Sequence, residues 1–214
     1  MRSDLRSALL PEHVGAGLTE CFCSPMLRRY AYQPPWSGRP AYRGSPRNPW
    51  NSIMDDIERL RSELEDAFRN RAHLYRLFLE ELETELGLER ATAVMARALE
   101  RRGQEVAQAL FHDTPPDPQA VGARFLSVGP DNGRLYPHEV VSEGHVTEIR
   151  VHRCPLKDAW IASGLPSERV ATLCQVAGAF DKGLFEAAGI SFSNETWNRA
   201  RGGGCCWIKL ERNS

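Results

Sequence analysis

The chain has 214 residues, 42% of them hydrophobic and 26% charged, enough for one substantial core with or without a tail. With 27 Lys and Arg against 28 Asp and Glu, the net charge of −1 gives no electrostatic reason to expect nucleic acid or an acidic membrane surface as a partner. No apolar run approaches the roughly 18 residues needed to span a bilayer, and the N-terminal stretch has no signal-like apolar core. The expectation is a soluble, cytoplasmic protein. Its six cysteines are then buried small hydrophobes or chemically active thiols rather than a disulfide framework.

Residues 1–50 mix Pro, Gly, Arg and aromatic residues without a helical or strand period, and read as an extended or disordered arm. Its aromatic residues suit draping over the folded domain or over a second subunit, so a homo-oligomer is compatible with it. Cys21-Phe22-Cys23 has too short a spacing for the usual zinc knuckle. Residues 51–214 read as a single domain. From Asn51, with Ser52 as cap, Ile53, Ile57, Leu60, Leu64 and Phe68 open an apolar helical stripe that continues to Leu86 and stops at Gly87. A second helix carries Ala91 through Leu110. Both look like scaffold.

The segment from Pro115 to Pro137 reads as loop-rich, with Phe125-Leu126-Ser127-Val128 and Val140-Val141 as short strands around a hairpin-type Asp131-Asn132-Gly133 turn. Val146–His152 alternates as a strand leading to Cys154. Pro155 then opens a short helix ending at Gly164, Pro166-Ser167 opens a longer one to about Ala188, and strands follow over Ile190–Trp197 and Cys205–Leu210. Long helices followed by short strands predict an α+β fold: a helical region packed on a small antiparallel sheet, with flanking helices enclosing a pocket.

Three places carry candidate chemistry. Cys154 falls at a helix N-terminus, among unpaired N–H groups and the positive end of the dipole, which favours thiolate. On the alternation, His152 shares its face, and Asp158 lies on the same side of the following helix. Cys174 and Asp181, seven residues apart, both fall on the apolar stripe of the next helix beside Phe180, Leu184 and Phe185. A carboxylate there is costly unless paired, so Asp181 is either a satisfied structural group or a base or ligand facing a cavity. Cys206 faces with Ile208 and Leu210, with Cys205 on the opposite face; Glu195 and Trp197 share a face and line one edge.

The pattern Cys154-Pro155-Leu156, Leu173-Cys174 with Asp181 beyond it, and Gly204-Cys205-Cys206 before a short apolar strand resembles the L-2-amino-thiazoline-4-carboxylic acid hydrolase family over about Ile57 to Leu210. The closing Gly204-Cys205-Cys206-Trp207-Ile208 is also similar to vinyl-reductase-type small-molecule-binding domains. The first resemblance implies opening of a cyclic thio-amidine by water, with Cys154, Asp181 and Cys206 as the positions that carry over, Cys174 and Asp158 less firmly. Trp207 stands where the family leads one to expect an acidic residue.

The resulting expectation is a hydrolase of a small cyclic C–N bond, with Cys154 as nucleophile, Asp181 as base or anchor and His152 as proton carrier, and with Cys206, Cys174, Asp158, Phe180, Phe185 and Trp197 around the substrate. No cofactor is required. A zinc ion held by Cys154, Cys174, Cys206 and Asp181 is the variant within it. A non-catalytic small-molecule-binding module and a biosynthetic tailoring enzyme are the alternatives, with a small molecule as partner in each.

Overall fold

The computed structural model describes residues 49–201 and 204–213. The expectations for the arm and for Cys21 and Cys23 lie outside them. The first helix, α1 (Pro49–Leu86), begins three residues before the expected cap. Pro49 opens it because a proline's fixed φ suits a first turn and its missing N–H would be unpaired there anyway, so Ser52 lies inside the helix. Gly87, at φ 76, ends α1 and leads directly into α2 (Leu88–Leu110).

The expected strand at Phe125–Val128 is instead the end of a third helix, α3 (Pro118–Ser127). Its start is signalled by Asp117, whose carboxylate accepts hydrogen bonds from the N–H groups of Gln119 and Ala120 at 3.1 Å each, with Pro118 at the first position. A capped proline start outweighs the weak strand signal of four residues. Gly122 lets α3 lie close on the sheet, where a Cβ would stand 3.3 Å from Thr147 Cγ2.

The antiparallel sheet has four strands in the order β1-β2-β4-β3, with β1 His138–Glu143, β2 Val146–Val151, β3 Ile190–Glu195 and β4 Cys206–Arg212. The hairpin turn between β1 and β2 is Gly144-His145, with Gly144 at φ 56. Asp131-Asn132-Gly133, with φ of 51, 53 and 82, instead turns the chain between α3 and β1. Ile149 pairs with Ile208 and Phe192 with Leu210 on the inner face. Helices α4 (Pro155–Ala162) and α5 (Ser167–Ala187) complete the α+β fold.

The core falls into two clusters. One packs Phe68, Ala72 and Leu79 of α1 against Trp160 of α4 and Val170 and Leu173 of α5, and Trp160 Nε1 donates to the Ala72 carbonyl at 2.8 Å. The other joins Phe185, Leu184, Val121 and Phe111 to Ile149, Ile208 and Leu210 of the sheet. Helices α2 and α5 run past each other at backbone contact, because Gly103 and Gly183 carry no side chain. A Cβ at Gly103 would lie 2.1 Å from the Phe180 carbonyl oxygen, and one at Gly183 2.0 Å from that of Glu100. This closeness holds the Phe180–Leu184 segment of α5 in place.

Candidate active site

Between the two clusters lies a cavity of about 700 Å³, walled by all five helices and by the inner face of the sheet. Most of its lining is apolar, and its polar groups are few: Cys154, Cys205, Cys206, Tyr136, His138 and Asp181 among them, with Arg71 and Arg102 on the helical side. A largely apolar hollow with a small number of convergent polar groups is the usual form of a small-molecule site.

Cys154 is the N-cap of α4, in an extended conformation with φ −136 and ψ 120, and Pro155 follows at the first helical position. Its side chain closes no capping hydrogen bond, yet several neighbours favour its thiolate. The Cys205 thiol donates to it, outweighing the opposing effect of burial; the N–H groups of Leu156 and Lys157 also lower its pKa, while the Asp158 carboxylate works the other way. Cys205 is correspondingly held well above the ordinary thiol range, first by its bond to Cys154 and then by Cys206, whose Sγ is 3.5 Å from its own. Of the two bonded thiols, ionisation is therefore favoured at Cys154 and opposed at Cys205. Lys157 stands close by; burial opposes its charge, but its 3.0 Å pair with Asp158 and the neighbouring thiols raise its pKa.

Across the cavity, α5 contributes Cys174, Ala177, Gly178, Asp181 and Leu184, spaced to fall on one helical face. Burial pushes the Asp181 carboxyl up to about 7, and among the described residues it has no hydrogen-bond partner. Its remaining accessible surface is turned to the cavity, so it is deep in the protein without being sealed off. Burial likewise pushes the Cys174 thiol well up, reinforced by Cys206 and Cys154. Tyr136 is linked electrostatically to Cys154, Arg71, Asp181 and Cys205, and burial, ahead of these, keeps its hydroxyl neutral and able to donate. His138 Nδ1 donates to the Tyr136 carbonyl at 2.8 Å, which leaves Nε2 as the acceptor of the neutral ring.

Of the residues expected around the site, Cys154, Asp181, Cys206, Cys174 and Phe180 line the cavity. His152, Asp158, Phe185 and Trp197 do not. The strand stops at Val151, so the alternation that put His152 beside Cys154 no longer holds; the His152 N–H donates to the Pro137 carbonyl at 2.8 Å and its exposed ring faces Glu139 at 3.4 Å. Asp158 is held between Arg153 and Lys157. Phe185 lies one turn beyond Asp181, fully buried and stacked on Phe192, and Trp197 packs against the first core cluster past the end of β3. Cys205 joins Cys206 at the cavity although strand alternation separates them, because β4 starts only at Cys206 and Gly204, at φ 93, turns Cys205 inward. Among the described residues no group of three or more His, Cys, Asp or Glu side chains stands close enough to hold a metal ion. The proposed zinc set Cys154, Cys174, Cys206 and Asp181 therefore shares a cavity without closing into a coordination sphere. No period or motif marks Tyr136, His138 or Arg71: Tyr136 lies at the end of a loop, His138 opens β1 and Arg71 is on a helix read as scaffold.

Fold and site together define an α+β domain with a largely apolar cavity onto which several thiols open. The family model for L-2-amino-thiazoline-4-carboxylic acid hydrolase matches residues 67–210, more than half of the chain, and the chain belongs to that family. No curated protein matches it in sequence. Among solved structures it is similar to a trafficking protein particle complex subunit 3 from Naegleria fowleri covalently bound to palmitic acid, at 11% identity and a TM-score of 0.47, covering 69% of this chain and 96% of that one. It is also similar to the phenol-responsive sensory domain of the transcription activator PoxR with phenol, at 14% identity and a TM-score of 0.42, covering 68% and 74%. Among the described residues no helix is long and apolar enough to cross a membrane.

Proposed function

We propose that the chain is a hydrolase that opens a C–N bond in a small cyclic amidine of the thiazoline kind, with Cys154 as nucleophile and Asp181 as proton carrier. The observation that carries this reading is the opening of two unlike groups on one cavity: a thiol drawn toward ionisation and a carboxyl titrating near 7. Cys154 Sγ adds to the amidinium carbon, forming a C–S bond and a tetrahedral centre. Asp181, in its acid form, gives its proton to the ring nitrogen, and the C–N bond breaks to release an amine. Water then attacks the same carbon, passing a proton back to Asp181, and the C–Sγ bond breaks to return the thiolate. The product is the substrate plus one water, with the last proton taken up by the new amine. A difficult displacement becomes two easier ones, and the neutral Tyr136 hydroxyl serves as a donor toward charge developing on the cavity side.

The test is incubation with 2-amino-thiazoline-4-carboxylate, following the gain of one water by mass and the appearance of a primary amine. Cys154→Ser is expected to lower kcat by about a thousandfold or more, and acid quenching of the unaltered protein to trap the carbon skeleton on the peptide carrying Cys154. Undiminished turnover in Cys154→Ser would remove the nucleophile assignment. The mainly apolar lining favours, as a second reading, a module that retains a small molecule without turning it over; stoichiometric retention with no product would select it.

A further inference from the structure

The cavity is much larger than the ring on which the proposed reaction takes place. A thiazoline carboxylate has about nine non-hydrogen atoms, which at the density of organic solids fill on the order of 150 Å³. The hollow measures about 700 Å³, within the range of roughly 300–1,000 Å³ that accommodates drug-sized ligands.

One side of the cavity carries the reactive thiol among apolar neighbours such as Phe68, Leu156 and Trp160, and the other side adds further apolar surface. Cys154 and Tyr136 pack with the first core cluster. Val106, Leu110, Phe125, Leu126 and Phe180 pack with the second, and each is only partly buried because part of its surface faces the cavity. Asp181 lies on α5 between Phe180 and Leu184 of that second cluster and opens on the same cavity. Apolar surface held open inside a cavity gains most from an apolar occupant. Resting on the hydrolase reading above, we propose that the molecule this site takes is an amidine ring bearing an extended alkyl or aryl substituent, with the ring at Cys154 and Asp181 and the substituent lying along Val106, Leu110, Phe125 and Leu126.

The experiment uses a series of 2-amino-thiazoline-4-carboxylates with straight alkyl chains of increasing length on the ring, and the matching thiazoles, which lack the reactive amidine, as binding probes. Each added methylene is expected to tighten probe binding by about two- to fourfold until the apolar end is filled, with kcat/KM rising alongside. Val106→Trp, which fills that end, is expected to abolish the gain with length; the series on the unaltered protein stands as a test whether or not that variant folds. Hydrolysis of the bare ring with affinity and kcat/KM flat or falling as the chain grows overturns this inference and leaves the hydrolase reading in place. Affinity rising with chain length while no member is hydrolysed supports the apolar end and overturns the hydrolase reading instead.

Discussion

At the N-terminus of α4 a cysteine is drawn toward its thiolate, whereas halfway along α5 a cysteine and an aspartate are pushed toward their neutral forms, although all three line the same cavity. Burial opposes ionisation at each. The difference lies first in the Cys205 thiol beside Cys154 and then in what the backbone offers. The first turn of a helix has N–H groups without partners, and those of Leu156 and Lys157 serve the sulfur. In mid-helix every N–H is already bonded to a carbonyl, so Cys174 and Asp181 receive nothing from the backbone to offset the loss of water. One helix end and one helix middle therefore hold, on the same cavity, a thiol whose ionisation is favoured and a carboxyl whose ionisation is opposed.

The α5 wall keeps its place only while α5 lies at backbone contact with α2, and removing that contact is the strongest way to break the comparison. In Gly183→Ala the new methyl would meet the Glu100 carbonyl oxygen at 2.0 Å, and neither atom belongs to a side chain that can rotate away. Overpacking ordinarily costs about 1–3 kcal/mol; with backbone on both sides the expected loss is at the top of that range or above, ~4 kcal/mol. Urea denaturation measures it. Stability within about 0.5 kcal/mol of the unaltered protein would mean that the two helices have slack.

Asp181→Asn tests the mid-helix wall through pH. The folded carboxyl titrates near 7 and the unfolded one near its ordinary value, so below about pH 4 both states are protonated and no penalty exists. As pH rises from about 4 to 7 the unfolded state gives up its proton while the folded state holds it, and folding loses stability progressively. That displacement corresponds to at most ~4 kcal/mol, and cavity water together with the amide's own unpaired polarity reduces the expected gain in Asp181→Asn to about 2 kcal/mol at pH 8. The advantage should vanish near pH 4. A variant less stable at pH 8 would show that the carboxylate has a partner in the folded protein.

The two walls were legible in the sequence for local reasons: Pro155 marks the start of a helix one residue after Cys154, and the interval from Cys174 to Asp181 is close to two helical turns. What was illegible depends on tertiary geometry. The close approach at Gly103 and Gly183 leaves no trace in either helix's own periodicity. The end of β2 at Val151, which sends His152 outward, is set by pairing with β1 and β4. Phe125 and Leu126 look the same in a strand as in a helix, and the deciding signal, Asp117-Pro118, lies upstream of them. Tyr136 reaches the cavity from a loop whose path no period describes, and His138 from the first position of β1 that this loop sets.

Cys205 is the residue through which the α4 side can be sharpened further. Alternation along β4 assigned it to the face opposite Cys206, but it precedes the strand, its N–H donates to the Val151 carbonyl at 2.8 Å, and its thiol donates to Cys154. If that donor matters as much as the helix end, Cys205→Ala should move the pH profile of Cys154 alkylation upward by about one pH unit, the size of one ordinary hydrogen bond. Cys205→Ser, which keeps an O–H donor, should move it less. The rate of iodoacetamide labelling, read on the peptide carrying Cys154 with the Cys174 peptide as the slow internal reference, measures both. An unchanged profile in Cys205→Ala would assign the whole effect to the N–H groups of α4, because removing the thiol leaves them where they are.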